Sequence, residues 1–177
     1  MVKEPRWHEM VKEALKEIGK ERGYDVSESE KEMVFASKKF KMFRHQIKGR
    51  GSEIIYGDAA EREVHTLSYK PDCVWKKRRS YRAVFEIEYS NPRSNAMEKR
   101  KYAIGSWMLA YLAMVEKSVR FLVFVTNSKD LYREILTFKR LVPLDYVKDS
   151  TRNLYLKARN QLNIKIGLQK LIAAGKI

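Results

Sequence analysis

Three carboxylates lie close together in an otherwise cationic chain. Asp72 follows Pro71, and Glu86 and Glu88 come 14 and 16 residues later, on either side of Ile87. Hydrolysis of a phosphodiester needs an activated water and neutralisation of the charge that builds on the phosphate. One or two Mg2+ (or Mn2+) ions supply both when a few carboxylates and a main-chain carbonyl hold them. Asp72 and Glu86 can share such an ion only if neighbouring strands carry them, because directly opposed residues bring their side chains within about 5 Å. Three acids converging on one point repel one another unless a cation is present. The competing reading makes Glu86 and Glu88 solvated residues, paired with Arg82 or with the basic run that follows Asp72.

The elements that must position these acids are legible around them. Residues 63–75 have a strand-like pattern ending in Pro71-Asp72-Cys73-Val74-Trp75. Lys76, Lys77, Arg78 and Arg79 then read as a basic hairpin turn. Residues 82–90 are the clearest strand. Alternation puts Phe85, Ile87 and Tyr89 on one face and Val84, Glu86 and Glu88 on the other. Asn91-Pro92 breaks the strand, and Ser94 or Asn95 caps a long helix over residues 95–117. That helix is apolar nearly all round after its first turn, so it is expected to be buried. Residues 120–126 follow as a continuous apolar strand of the kind covered on both faces. Strand, helix, strand is a crossover unit, so these two strands should be parallel.

The flanks are less even. Residues 5–22 read as a first helix with Val11, Ala14, Leu15 and Ile18 as its buried stripe and Gly23 as its stop. Tyr24-Asp25-Val26 is a candidate strand start. Residues 27–57 fit strand or helix, with aromatic and basic residues interleaved; Phe40 and Phe43 belong either to a nucleic-acid surface or to the core. Residues 128–141 read as a helix ended by Pro143. Residues 151–174 read as a further helix, with a short alternating strand at 163–168 left open. Its basic face either packs back on the sheet or makes a homodimer contact.

Bulk properties set the partner class. The chain has 177 residues, 44% of them apolar, enough for one domain with a real core. Lys and Arg number 37 against 22 Asp and Glu, a net charge of +15 that calls for a polyanionic partner, most simply nucleic acid. The single cysteine, Cys73, excludes an intrachain disulfide and a Cys-based zinc site. No stretch has the length or character of a signal peptide or membrane span, so a soluble cytoplasmic protein is expected, with no membrane partner.

The order helix, strand, Pro71-Asp72, hairpin, Glu86-Ile87-Glu88, helix, strand resembles the PD-(D/E)XK nuclease superfamily over roughly residues 7–127. The resemblance implies an α/β, restriction-endonuclease-like fold: a mixed central sheet of four or five strands flanked by helices. Residues 128–177 would be a C-terminal helical extension of a single domain spanning 1–177. It implies a Mg2+-dependent (deoxyribo)nuclease, with Asp72, Glu86 and the Ile87 main-chain carbonyl on the metal. Glu88 occupies the place of the family's lysine, as a ligand or water orienter. This departure bears on water activation, and Lys99 or Lys101 of the following helix is the substitute, Lys99 being nearer the strand end. Family members often add an acid from the first helix, here Glu9 or Glu13, and His8 is a further candidate. Lys76, Lys77, Arg78, Arg79, Arg93, Arg100 and Lys101 are the expected nucleic-acid contacts, with DNA as the expected substrate. The rival is a non-catalytic nucleic-acid binder on an inactivated nuclease fold, for which the missing lysine argues. A basic structural protein that binds nucleic acid without a metal site is the third reading.

Overall fold

The structure is a computed structural model. It describes residues 6–26, 32–41, 43, 64–89, 96–142 and 149–177, with only the backbone of 96–103. Arg93 lies outside the described residues, as do the side chains of Lys99, Arg100 and Lys101 and most of the segment 42–63. In chain order the elements are α1 (Trp7–Glu21), β1 (Met33–Ser37), β2 (His65–Tyr69), β3 (Cys73–Lys77), β4 (Ser80–Glu88), α2 (Ala96–Glu116), β5 (Phe121–Thr126), α3 (Lys129–Leu141), β6 (Thr151–Tyr155) and α4 (Gln161–Ala174). This is an α/β arrangement. A mixed four-stranded sheet has the order β3-β4-β5-β6, and β1 and β2 form a separate antiparallel pair.

The expected hairpin and crossover are both present. β3 and β4 are antiparallel, with Cys73 opposite Phe85 and Val74 opposite Val84. β4 and β5 are parallel, with Glu86 beside Phe124 and Glu88 beside Thr126. Alternation along β5 divides the core. Leu122 and Phe124 join Trp107, Tyr111, Phe138 and the β1–β2 pair on one face. Val123 and Val125 join α1, α4, Phe85 and Trp75 on the other. Phe40 and Phe43 are fully buried in the first cluster, so they serve the core and not a nucleic-acid surface.

Two expectations are corrected. The single strand expected over 63–75 is two strands in two different sheets, β2 and β3. Pro71 lies between them; it has no N–H to continue a ladder, so one sheet stops and the next begins there. The C-terminal part is not purely helical. Residues 151–155 form β6, parallel to β5, with Val125 beside Leu154 and the Leu156 N–H donating to the Thr126 carbonyl at 2.8 Å. β5 has apolar residues on both faces, and its outer ladder needs a partner; β6 supplies it. Residues 163–168 belong to α4, where Ile164, Leu168 and Ile172 repeat at helical spacing and are buried against α1 and the sheet. The C-terminal helix thus packs back on the sheet. Among the described residues no helix is long and apolar enough to cross a membrane.

One contact gives a test of the α1 packing. Gly23, with φ of 81°, ends α1 as expected. Gly19, inside the helix, is required for a different reason: a Cβ there would lie 2.4 Å from Trp75 Nε1 and 2.8 Å from Val26 Cγ1. The indole cannot swing away without losing its hydrogen bond to the Leu15 carbonyl. Alanine normally stabilises a helix interior by about 1 kcal/mol over glycine. Here overpacking reverses the sign, and Gly19→Ala is expected to cost about 2 kcal/mol, read from the urea midpoint at unchanged slope.

Candidate active site

The carboxylates gather where β3 begins and β4 ends. Continuing the register one step beyond Cys73 and Phe85 sets Asp72 opposite Glu86. The Asp72 N–H donates to the Phe85 carbonyl at 3.2 Å, which fixes its backbone to β4. Its Oδ2 accepts the Ile87 N–H at 2.7 Å, and its Oδ1 lies 3.1 Å from His8 Nε2 on α1. N–H and C=O of one strand residue point to the same edge. The Ile87 carbonyl therefore also faces the β3 side, just beyond the point where β3 starts.

Each glutamate has a partner from the layer above the sheet. Glu86 is buried and accepts a hydrogen bond from the Tyr69 hydroxyl at the end of β2. Glu88 accepts the Trp107 indole N–H of α2 at 2.7 Å. Burial holds the Glu86 carboxyl well above the usual carboxylate range, and the charges of Asp72 and Glu88 push the same way, against the Tyr69 hydrogen bond. Burial also lifts Glu88 up to about 7, opposed by the Trp107 bond and reinforced by Asp72. Tyr69 is pushed well above its ordinary range by burial and by Glu86, so it stays a neutral donor. His8 is raised chiefly by its hydrogen bond to Asp72. Glu86 and Glu88 are therefore held by burial and by the nearby Asp72 charge, and are not the solvated residues of the competing reading.

The first-helix acids are placed differently from His8. Glu9 reaches the site only through His8, with Oε1 3.6 Å from Nδ1. Glu13 is exposed and pairs with Lys16 at 3.6 Å. The basic turn is at the other end. β3 runs five residues from Cys73 to Lys77, so Arg78 and Arg79 lie roughly 16 Å or more from the acids along the strand. Lys76 rests on the Tyr81 ring at 4.9 Å, while Lys77, Arg78 and Arg79 are exposed. The sequence places these cations between the acid-bearing strands, and the hairpin holds them away from the acids.

Other cations border the acid end. A cleft of about 930 Å3 opens beyond the C-terminal ends of β4, β5 and β6, lined among others by Trp7, Tyr89, Tyr155, Lys157 and Arg159. Tyr89 follows Glu88 and Trp7 precedes His8 in the chain, so the cleft adjoins the acid end through these neighbours, while His8, Asp72, Glu86 and Glu88 are not part of its lining. Trp7 and Tyr89 stack at 5.8 Å, and the Trp7 indole N–H donates to the Ala158 carbonyl at 3.0 Å, drawing the segment after β6 to the site. Clefts at the carboxyl ends of parallel strands are the usual ligand positions of open α/β sheets. Lys157 and Arg159 go unnoticed in the sequence because the segment reads as helix. A signal for Trp107 does exist: a buried indole N–H must find an acceptor.

Among the described residues no three His, Cys, Asp or Glu side chains gather in metal-ligand geometry. The sequence points to Asp72, Glu86 and the Ile87 carbonyl, with Glu88 and Glu9 or Glu13 as further candidates, and those further acids are not gathered with the first two in such geometry. The residues present fit a metal in kind: Asp72, Glu86 and Ile87 offer the oxygen donors a hard cation takes. Comparisons with protein-family models, with curated proteins and with solved structures find no match for this chain.

Proposed function

We propose that the chain is a divalent-metal-dependent nuclease that hydrolyses DNA phosphodiester bonds at the end of the β3–β4 hairpin, on a restriction-endonuclease-like variant of the α/β fold. The observation that carries this reading is the meeting of Asp72 with the end of β4. One step beyond the β3–β4 register Asp72 falls opposite Glu86, and its carboxylate accepts the Ile87 amide, on a chain whose net charge is +15. A basic protein gains little in stability from setting Asp72 and a buried Glu86 at one sheet end. The arrangement has a use if a cation joins them.

Asp72, Glu86 and the Ile87 carbonyl would hold Mg2+ or Mn2+. When bound, such an ion polarises the phosphate and lowers the pKa of its water. The Ile87 N–H and His8 orient the Asp72 carboxylate from its two oxygens. Tyr69 and Trp107 each donate to one glutamate oxygen, which orients the carboxylates and leaves the second oxygen of each to serve as a donor to a cation. Glu88 stands where the superfamily has its lysine and orients the attacking water. Lys157 and Arg159 across the cleft neutralise the scissile and neighbouring phosphates, a task the sequence assigns to Lys76, Lys77, Arg78 and Arg79.

The test is cleavage of labelled duplex, branched and single-stranded DNA with Mg2+, with Mn2+ and with chelator. Cleavage is expected with either ion on at least one substrate and none with chelator. Binding without cleavage on all three substrates, with both ions, would leave the non-catalytic binder in its place.

A further inference from the structure

Beyond that acid end, the opposite end of the sheet carries a second cluster of charge. Arg82 at the start of β4, Arg120 just before β5 and Arg152 in β6 all turn toward the Phe121 ring. Their guanidinium carbons lie 4.9, 5.2 and 5.2 Å from its centre. No two of them can then be more than about 10 Å apart, close enough for like charges to repel appreciably at a protein surface. The register explains the convergence. Ala83 pairs with Phe121, so Arg82 and Arg120 are side by side one step earlier, and the Arg120 N–H is bound to the Tyr81 carbonyl at 3.1 Å.

The three arginines are not equivalent. Arg152 has carbonyl acceptors: Nε donates to Gly175 at 2.9 Å, and Nη1 donates to Asp149 and Thr151. It is a structural tie between β6 and the end of α4. Arg82 and Arg120 have no carboxylate partner among the described residues, and Arg82 Nε is buried without any hydrogen-bond partner. Shielding of Phe121 accounts for their aliphatic stems. It does not account for two guanidiniums set within about 10 Å of each other around one ring, with the Arg82 Nε buried and lacking a partner among the described residues. An orphaned buried donor beside a second unpaired cation fits an oxyanion that bridges the two.

We propose that Arg82 and Arg120 form a phosphate-binding site for the backbone of duplex DNA, separate from the acid end and independent of the metal. The identity of the polyanion rests on the nuclease reading; the anion site itself rests on the arginine geometry. Two observations favour a nucleic-acid backbone over a lone phosphate. Exposed Lys77, Arg78 and Arg79 continue the positive charge from the same strand ends, giving a strip suited to successive phosphates. Among the described residues the strip also lacks the apolar residues that enter a lipid surface: the large exposed ones are Val34, Val64, Tyr89, Leu162 and Ile166, none at these strand ends. Arg82 is four to six residues from Glu86 and Glu88 on one strand, about 13–20 Å away. DNA anchored here reaches the acids several nucleotides further along.

The test uses the intact chain in chelator, so that cleavage plays no part. Anisotropy of a labelled duplex is followed from low to physiological salt for the native protein, for Arg82→Gln/Arg120→Gln and for Arg82→Lys/Arg120→Lys. The glutamine pair is expected to weaken binding about tenfold and to reduce the salt slope by about 2. The lysine pair should keep the slope and lose only a few-fold in affinity, since the charge remains and the fork is gone. Should the glutamine pair not fold, the lysine pair decides alone. Affinity and slope equal to the native protein in the folded variants would overturn the site. A parallel titration with inorganic phosphate identifies the source. If phosphate binds the native protein, is lost in the variants and leaves duplex affinity untouched, the ligand is free phosphate and the DNA assignment is wrong.

Discussion

Asp72→Asn is expected to lower the rate of Mg2+-dependent DNA cleavage about 10^3-fold or more, while DNA binding in chelator stays equal or becomes tighter. The substitution is close to isosteric. The side-chain carbonyl still accepts the Ile87 N–H that Oδ2 accepts at 2.7 Å, and the amide still reaches His8. The fold has no reason to fail. Removing this charge also relieves Glu86 and Glu88, both of which Asp72 pushes upward. The variant is therefore expected to be at least as resistant to urea as the native protein. What it loses is one anionic oxygen donor at the proposed cation, an electrostatic loss of several kcal/mol. About 4 kcal/mol corresponds to three orders of magnitude in rate. The binding arm follows from the polyanionic substrate: one negative charge fewer at the site weakens nothing that holds phosphates. Single-turnover cleavage beside anisotropy separates the two effects. Metal-dependent cleavage at the native rate would show that Asp72 is not a ligand, and the superfamily assignment would lose its first acid.

How much of this was legible in the sequence depended on how local each signal is. Period-two alternation set Glu86 and Glu88 on the face opposite Phe85 and Ile87, and the two core clusters divide Phe85 and Ile87 from Val84 in the same way. Pro71-Asp72 followed by a basic run and a second strand announced the hairpin, because antiparallel neighbours need only a short turn. The parallel β4–β5 pair was readable from the helix between them. Long-range geometry was not readable. Nothing local says that Tyr69 and Trp107, from two other elements, close over the glutamates. β6 was hidden because Thr151, Leu154, Ala158 and Leu162 mimic a helical stripe. Only the open edge of β5 makes that segment extend, and an edge exists only once the sheet is assembled. The same misreading concealed Lys157 and Arg159. The basic turn was legible as a hairpin loop, but its distance from the acids was not: strand direction, and not sequence proximity, decides which charges meet.

Those buried acids also give the metal-free protein an unusual dependence on pH. Glu88 rises from 4.5 to about 7 on folding, through burial and the charge of Asp72, with Trp107 and His8 opposing. Between those values the folded protein keeps a proton that the unfolded chain has released. Stability from this group is complete below about pH 4.5 and is lost as pH rises through 7. Two and a half pH units correspond to roughly 3 kcal/mol. Glu86 and His8 are also raised, so both act in the same direction. Thermal unfolding in chelator is thus expected to show a falling midpoint from pH 5 to pH 8, opposite to the common acid-labile pattern. Glu88→Gln, which still accepts from Trp107, should flatten much of that fall. A divalent cation reverses the balance, because it favours the ionised acids; its binding releases protons, and the midpoint it restores should be larger at pH 8 than at pH 5.5. A midpoint that climbs with pH in chelator would mean that the acids are ionised and paired in the folded protein. A gain from Mg2+ or Mn2+ that is the same at both pH values would mean that the ion sits elsewhere. The two arms fail independently, so the burial of the acids and their use as ligands are judged in one set of melts.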